Sequence, residues 1–198
     1  MEIPASLLPP ASASRSATVM RRPPMVRCTP NHPGEGVAAD LPRVSEIKVR
    51  NWADTYGALL DRTVLGPFLD CGVQLEDLRQ AVGLSEMLLL VAVDGADAIG
   101  GFALTYMARE PEPWLESLHV LIEFRGHGLG TQLMQSTAAH LHARGYDSMR
   151  LGVIAGNDAA ARFYERLGGS LIGLEPVSWA EGAMHQVYRW PSLTRLAN

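Results

Sequence analysis

The residues from Ile122 to Met134 read IEFRGHGLGTQLM. Arg125 precedes three glycines at alternate positions, Gly126, Gly128 and Gly130, and a helical apolar pattern follows at once. Glycine is a poor helix former, so three of them where a helix must begin point to a demand on the backbone itself. The stretch joins an apolar, strand-like run to a helix start. The first N–H groups of a helix have no partner inside it and face outward, and the helix dipole adds partial positive charge there. Glycine permits positive φ and lets an anion approach the chain closely. A phosphate or pyrophosphate suits such a place, with Arg125 as a fixed charge beside it. The plainer alternative is a tight turn in which glycine only relieves sterics.

Two nucleotide motifs fit less well. The dinucleotide fingerprint is G-x-G-x-x-G, whereas Gly126, Gly128 and Gly130 give G-x-G-x-G. Asp147 lies at about the ribose-binding distance but precedes its strand rather than ending it. A Walker A loop closes on Gly-Lys-Ser/Thr, and Gly130-Thr131-Gln132 has no lysine.

The segment RGHGLGTQLM resembles the (Q/R)-x-x-G-x-(G/A) motif of the GNAT superfamily of acyl-CoA-dependent N-acetyltransferases, with Arg125, Gly128 and Gly130 on its three defined positions. LHVLIEF before it looks like that family's fourth strand. NDAAARFYERLGG is similar to the family's N-x-x-A-x-x-F-Y-x-x-x-G-F segment: Asn157, Ala160, Phe163, Tyr164 and Gly168 match, and Gly169 replaces the usual aromatic. VRNWADTYGALL looks like first-helix segments of many members. The resemblance spans about residues 25–190.

That resemblance implies acetyl-CoA as cosubstrate, no metal, and direct attack of a primary amine on the thioester. It assigns pyrophosphate to the backbone of Arg125, Gly126, His127, Gly128, Leu129, Gly130 and Thr131. It gives the pantetheine arm to Leu118, His119 and Val120, with an N–H near Val120 polarising the acetyl carbonyl. Asn157, Ala160, Phe163 and Tyr164 complete the cofactor-binding set, and the Tyr164 hydroxyl becomes the general acid for the departing thiolate. Because adjacent helix positions point about 100° apart, Phe163 and Tyr164 are expected not to face one pocket. The acceptor is expected to be an amine on a small molecule or a peptide. A homodimer is a further expectation from family habit. A non-catalytic acyl-CoA-binding sensor and a nucleotide-phosphate binder unrelated to CoA are the competing readings.

The base is read from strand alternation. Residues Trp114, Glu116, Leu118, Val120 and Ile122 fall on one face, which makes Glu116 a lone carboxylate among apolar side chains. Partial burial would raise its pKa and suit it to general-base work; an exposed Glu near a strand end is the alternative. His119 faces the other way and could act through water. Asn157 is first of all a helix N-cap. Trp52 and Tyr56 stand four apart, on one helix face, and are candidates for acceptor contact as well as for packing. Trp179, His185 and Tyr188 are further acceptor candidates.

Elements that could position these groups follow from periodicity. MVRC at 25–28 reads as a short strand. A helical pattern runs from Ala38, with Asp40 as N-cap and Pro42 in the first turn. Gly57 and Gly66-Pro67 break the region into short helices, and QLEDLRQAVG is another helix, closed by Gly83. Strands are expected at 86–95, 98–110 and 114–122, the first ending in an Asp-Gly turn. A helix to about Arg144, a strand at 148–154, a helix at 157–169 and a closing antiparallel pair complete the chain. The strand–helix–strand unit forces a parallel pair among antiparallel ones. The fold class is therefore α/β in the mixed α+β sense: a GNAT-like acyl-CoA N-acyltransferase fold, a central mixed sheet with helices on both faces.

The 198 residues suffice for one sizeable domain, at 25–190, between an N-terminal extension at 1–24, read as disordered from its Ser, Ala, Pro and Arg content, and a tail at 191–198. A formal charge of −4 argues against a general nucleic-acid partner, and no apolar run predicts a membrane span. Two cysteines fit a reducing cytoplasm better than a disulfide framework.

Overall fold

The computed structural model describes residues 25–28, 35–82, 86–93 and 98–197. Among the described residues seven strands form one sheet: β1 (Met25–Cys28), β2 (Met87–Val93), β3 (Ile99–Tyr106), β4 (Trp114–Val120), β5 (Met149–Ile154), β6 (Ser170–Pro176) and β7 (Met184–Trp190). Their order is β1-β2-β3-β4-β5-β7-β6. All neighbours are antiparallel except β4 and β5, which run parallel. The mixed sheet expected from the strand–helix–strand unit is present.

Helices α1 (Glu35–Tyr56), α2 (Arg62–Leu65) and α3 (Cys71–Val82) precede β2; α4 (Leu129–His142) links β4 to β5, α5 (Asp158–Arg166) follows β5, and α6 (Leu193–Ala197) closes the chain. Strand β2 shows how the layers form. Its side chains alternate, Leu88, Leu90 and Ala92 into a core shared with α4, α5 and α6, and Met87, Leu89, Val91 and Val93 into a second core with α1 and α3. A strand covered on both faces must be apolar throughout, and every residue of β2 is buried. The apolar positions of α4 match their expected spacing: Leu129, Leu133, Met134, Ala138 and Leu141 are buried. The closing segment is helical, and Leu193 and Leu196 of α6 join the same core.

The start of α1 differs from expectation. The helix begins at Glu35 and continues through Pro42, so Asp40 lies within it rather than capping it. Leu41, Val44 and Ile47 are buried on the sheet, and that packing holds a turn that proline alone disfavours. The helix ends at Tyr56, just before Gly57. The extension at 1–24, Gly83 and the Asp94-Gly95 turn lie outside the described residues.

Strands β4 and β5 meet in only two residue pairs, Trp114 with Arg150 and Leu115 with Leu151. A polar clamp stitches this junction. The guanidinium of Arg189, on β7, donates through Nε to Glu112 Oε1 at 2.8 Å and Oε2 at 3.0 Å, and through a second nitrogen to Oε1. Ser148 Oγ adds a bond to Glu112 Oε1 at 2.7 Å, and Arg150 Nε lies 3.6 Å from Oε2. The Glu112 side chain is only 13% exposed. Arg189 and the neighbouring donors hold its carboxyl below the ordinary carboxylate range. The clamp's contribution to stability is therefore complete above a pH of about 4.5, the unfolded value, and is lost as the pH falls through the lower folded value. Glu112→Gln is expected to destabilise the protein by about 1–2 kcal/mol at neutral pH. Denaturant titrations from pH 7 down to pH 3 should show the gap between parent and variant narrowing with acid.

Candidate active site

Beyond Leu115 the β4–β5 ladder stops, while β5 stays paired with β7 along Met149–Ile154. The two strands diverge into a V. A β-bulge sits at the point of divergence: Thr105 of β3 pairs with Leu115 and Leu104 pairs with Ser117, which leaves Glu116 as the extra residue. A bulge shifts the side-chain phase by one residue and bends the strand. The alternation expected along 114–122 therefore fails. Leu115, Leu118 and Val120 face the core of α4 and α5, while the His119 ring lies on Phe102 of the opposite core at 5.2 Å between centroids.

The backbone follows the same logic. Leu121 N–H donates to Gly100 O at 2.9 Å. In an antiparallel ladder successive residues turn their N–H and C=O to opposite sides. Leu121 and His119 thus turn toward β3, while Val120 and Leu118 turn toward the open V. The Val120 carbonyl confirms this direction by accepting from Arg125 Nε at 2.9 Å. Of these three residues, Leu118 and Val120 turn their backbone groups to the open side of β4, and those of His119 serve the β3 ladder.

At the wide end of the V stands the glycine loop. Gly126 and Gly128 have φ of +80° and +78°, values that residues with a Cβ rarely adopt, and Gly128 is the N-cap of α4. A Cβ on Gly130 would meet the Phe163 ring at 3.2 Å, so the third glycine lets α4 and α5 approach. No side chain caps the helix start, which leaves its first N–H groups available as an anion site requires. Arg125 lines the cavity and is engaged within the protein. Its guanidinium donates to Val120 O and, at 2.7 Å, to Asn51 Oδ1 of α1, so it braces the loop against β4 and α1. Glu123 is held to Arg50 of α1 at 3.0 Å.

The V encloses a cavity of about 740 Å³. Its lining takes in Leu118, His119, Val120, Arg125, Gly126, Gly128, Leu129, Gly130, Thr131, Asn157, Ala160, Phe163 and Tyr164, all expected cofactor contacts, together with Glu116, Trp52 and Tyr56. His127 is the exception: it stands between two left-handed glycines, is exposed, and does not line the cavity. Phe163 and Tyr164 both reach the cavity, contrary to the expectation from helix geometry. Phe163 extends over Gly130, while Tyr164 lies deeper, edge-on to Trp190 at 5.8 Å.

Tyr164 is only 8% exposed, and burial pushes its hydroxyl pKa well up, so it stays protonated. Asn157 caps α5 by accepting from Ala160 N–H at 3.2 Å, and its amide reaches the Tyr56 hydroxyl at 3.4 Å. Gly169 stands where the sequence pattern has an aromatic. A Cβ there would come within 2.5 Å of the Trp190 indole, which donates through Nε1 to Leu167 O at 2.9 Å. Trp190 supplies the ring that position 169 lacks.

Glu116 is not buried as expected. Its side chain is 41% exposed and lies 3.7 Å from Arg109, because the bulge throws it toward the rim. The His119 pKa is pushed down to about 3, first by burial and then by Lys48 and Arg125. A group that holds a proton so weakly is a poor base. Tyr188 is buried, donates to Glu165 at 3.1 Å and lies in the core, away from the acceptor side. Trp179 and His185 do line the cavity. Trp52 stacks on Phe68 at 4.0 Å, and Trp179 closes on both at 5.4 and 4.7 Å. Lys48, Asn51 and Phe68 also contribute, none of them singled out by the sequence. The spacing of Lys48 to Trp52 on one helix face was the available signal.

Among the described residues, no group of three or more His, Cys, Asp or Glu is placed to hold a metal ion. No described helix is long and apolar enough to cross a membrane.

The sequence profile of the acetyltransferase (GNAT) family matches residues 49–169, more than half of the chain. The chain belongs to this family. Among solved structures, the PaiA N-acetyltransferase of Thermoplasma acidophilum, in complex with coenzyme A, matches at 18% identity and a TM-score of 0.67, covering 84% of this chain and 97% of that one. The protein yncA of Salmonella typhimurium, with its cofactor acetyl-CoA, matches at 20% identity and a TM-score of 0.61, over 86% and 94% of the two chains. Aminoglycoside 6'-acetyltransferase type Ii matches at 19% identity and 0.62, over 85% and 97%. At such identities the likeness speaks for the shared fold. No curated protein matches this sequence.

The left-handed turn gives a direct test of the loop. Gly128→Val in this acetyltransferase-family chain is expected to destabilise it by about 1–2 kcal/mol through backbone strain. Gly173→Ala, outside the left-handed region and with no atom within 4 Å of the added Cβ, should leave the thermal midpoint unchanged or slightly raised.

Proposed function

We propose that the chain is an acetyl-CoA-dependent N-acetyltransferase that moves the acetyl group to a primary amine by direct attack. The observation that carries this reading is the V between β4 and β5, with the bare start of α4 at its wide end. Backbone N–H groups at Gly126 to Thr131 would hold the pyrophosphate. Leu118 and Val120 would pair with the pantetheine arm as a missing strand would. The cosubstrate supplies an activated thioester. The Val120 N–H points into the cleft and would polarise the acetyl carbonyl, a role in which one preorganised donor contributes on the order of 3 kcal/mol. Tyr164, kept protonated by burial, would give its proton to the departing thiolate.

The acceptor amine would enter beside Trp52, Tyr56, Trp179 and His185. Glu116, at the rim, would take up the proton that the incoming ammonium must lose and pass it to solvent. The free, exposed thiol of Cys71 suits a reducing compartment, and we place the protein in the cytoplasm.

Tyr164→Phe is expected to lower kcat by roughly 10²-fold or more while leaving acetyl-CoA affinity unchanged, measured by thiol release and by calorimetry. Glu116→Gln should lower kcat/KM at neutral pH and weaken its dependence on pH. A broad amine panel that gave no turnover, despite heat of binding from acetyl-CoA, would favour a non-catalytic acyl-CoA sensor instead.

A further inference from the structure

The chain holds 17 Lys and Arg residues, and one alone, Lys48, is a lysine. Arginine is always charged and is no nucleophile in water near neutrality. Lys48 is therefore the only side-chain amine in the protein. It does not sit on the outer surface of α1. Lys48, Asn51, Trp52 and Thr55 form one helical stripe, and all four line the cavity between β4 and β5. The charge of Glu116 at the bulge acts on the Lys48 ammonium, and the ammonium lowers the pKa of His119, next to Val120. The lysine thus lines the same cavity as Leu118 and Val120, whose backbone turns toward the open V.

We infer that Lys48 is a self-acetylation site, at which the protein's own ε-amine takes the acceptor's place when no acceptor is bound. The inference rests on the acetyl-donor reading above. The step balances without any further reagent. The Lys48 Nζ lone pair attacks the thioester carbonyl carbon, an N–C amide bond forms, and the C–S bond breaks. The sulfur leaves as thiolate and takes up the proton that nitrogen releases, so free CoA and N-acetyl-lysine are the products. Burial supports the step by lowering the Lys48 pKa, against the opposing pull of Glu116 and Asp77; an amine attacks only when neutral. The product is an amide, which is not an acyl donor of thioester strength. It leaves a neutral, bulkier side chain in the acceptor half of the cleft. Self-acetylation would therefore act as a brake on an enzyme starved of acceptor.

The test uses the purified full chain with acetyl-CoA and no acceptor, followed by intact mass and peptide mapping, with calorimetry on the same sample. One acetyl group per chain is expected, on the peptide containing Lys48, and it should vanish in Lys48→Arg. Labelling should be at least about tenfold faster in the native protein than in the heat-unfolded chain, since only the folded cleft aligns donor and amine. Excess CoA should suppress it, while acetylation by the chemical donor acetyl phosphate should be indifferent to CoA. Pre-acetylated protein should bind acetyl-CoA as before. Binding of acetyl-CoA with Lys48 unlabelled, equal rates in native and unfolded chains, or label confined to the N-terminal amine would overturn the inference and leave the transferase reading intact. Absence of any binding heat would overturn both.

Discussion

The parting of β4 from β5 is the constraint on which the site depends. A sheet gains from every ladder bond, and here the parallel pair stops after two residue positions. Two features hold it so. At the closed end, Glu112 gathers Arg189, Arg150 and Ser148 onto one carboxylate, which locks the strands together where they begin. One turn of chain later, the bulge at Glu116 bends β4 away. Strand β5 keeps its place because β7 pairs with it throughout. The result is that the backbone groups of Leu118 and the N–H of Val120 turn toward open space, a condition that buried strands normally avoid, while Val120 O is taken by Arg125.

The wide end is held from a different direction. The first part of the loop after β4 is anchored by Leu121 and Phe124, but Gly126 and Gly128 have no side chains to pack. Helix α1 provides the support instead, through Asn51 to Arg125 and Arg50 to Glu123. Arg125 then reaches back to Val120 O. One guanidinium ties together the loop, the last cleft-facing residue of β4 and helix α1. Removing it would loosen three elements at once, although its charge looked from the sequence like a simple phosphate contact.

What could be read from the sequence was what depends on local pattern. The glycine loop, the α4 stripe, the Asn157 cap and the crossover between β4 and β5 all follow from spacing, and the cavity collects nearly every residue they pointed to. What could not be read was set by tertiary geometry. The bulge at Glu116 has no signature in WLESLHV, so the side-chain alternation was carried one residue too far. The exposure of Glu116, the clamp at Glu112 and the exchange of a ring between positions 169 and 190 involve residues distant in sequence. Helix α1 was displaced at its start because burial of Leu41, Val44 and Ile47 outweighs the preference of Pro42 for a first turn.

The electrostatics of the cavity carry one last consequence. Its lining includes Arg125 and Arg166 beside Lys48, His119 and His185, and burial is the largest cause of a lowered pKa in the last three. The stacked Trp52 and Phe68, with Trp179 tilted against them, form an apolar part of the lining, and the rim carboxylate Glu116 lies close to Arg109. A cleft that disfavours its own cations will disfavour a bound ammonium by the same desolvation. Under the amine-acceptor reading, the walls therefore do part of the work usually assigned to a base. The ammonium is drawn to the rim by Glu116, loses its proton there, and enters as the neutral amine that attack requires. This division would explain how deprotonation can proceed where His119 is too weak a base and Glu116 too exposed to act from within.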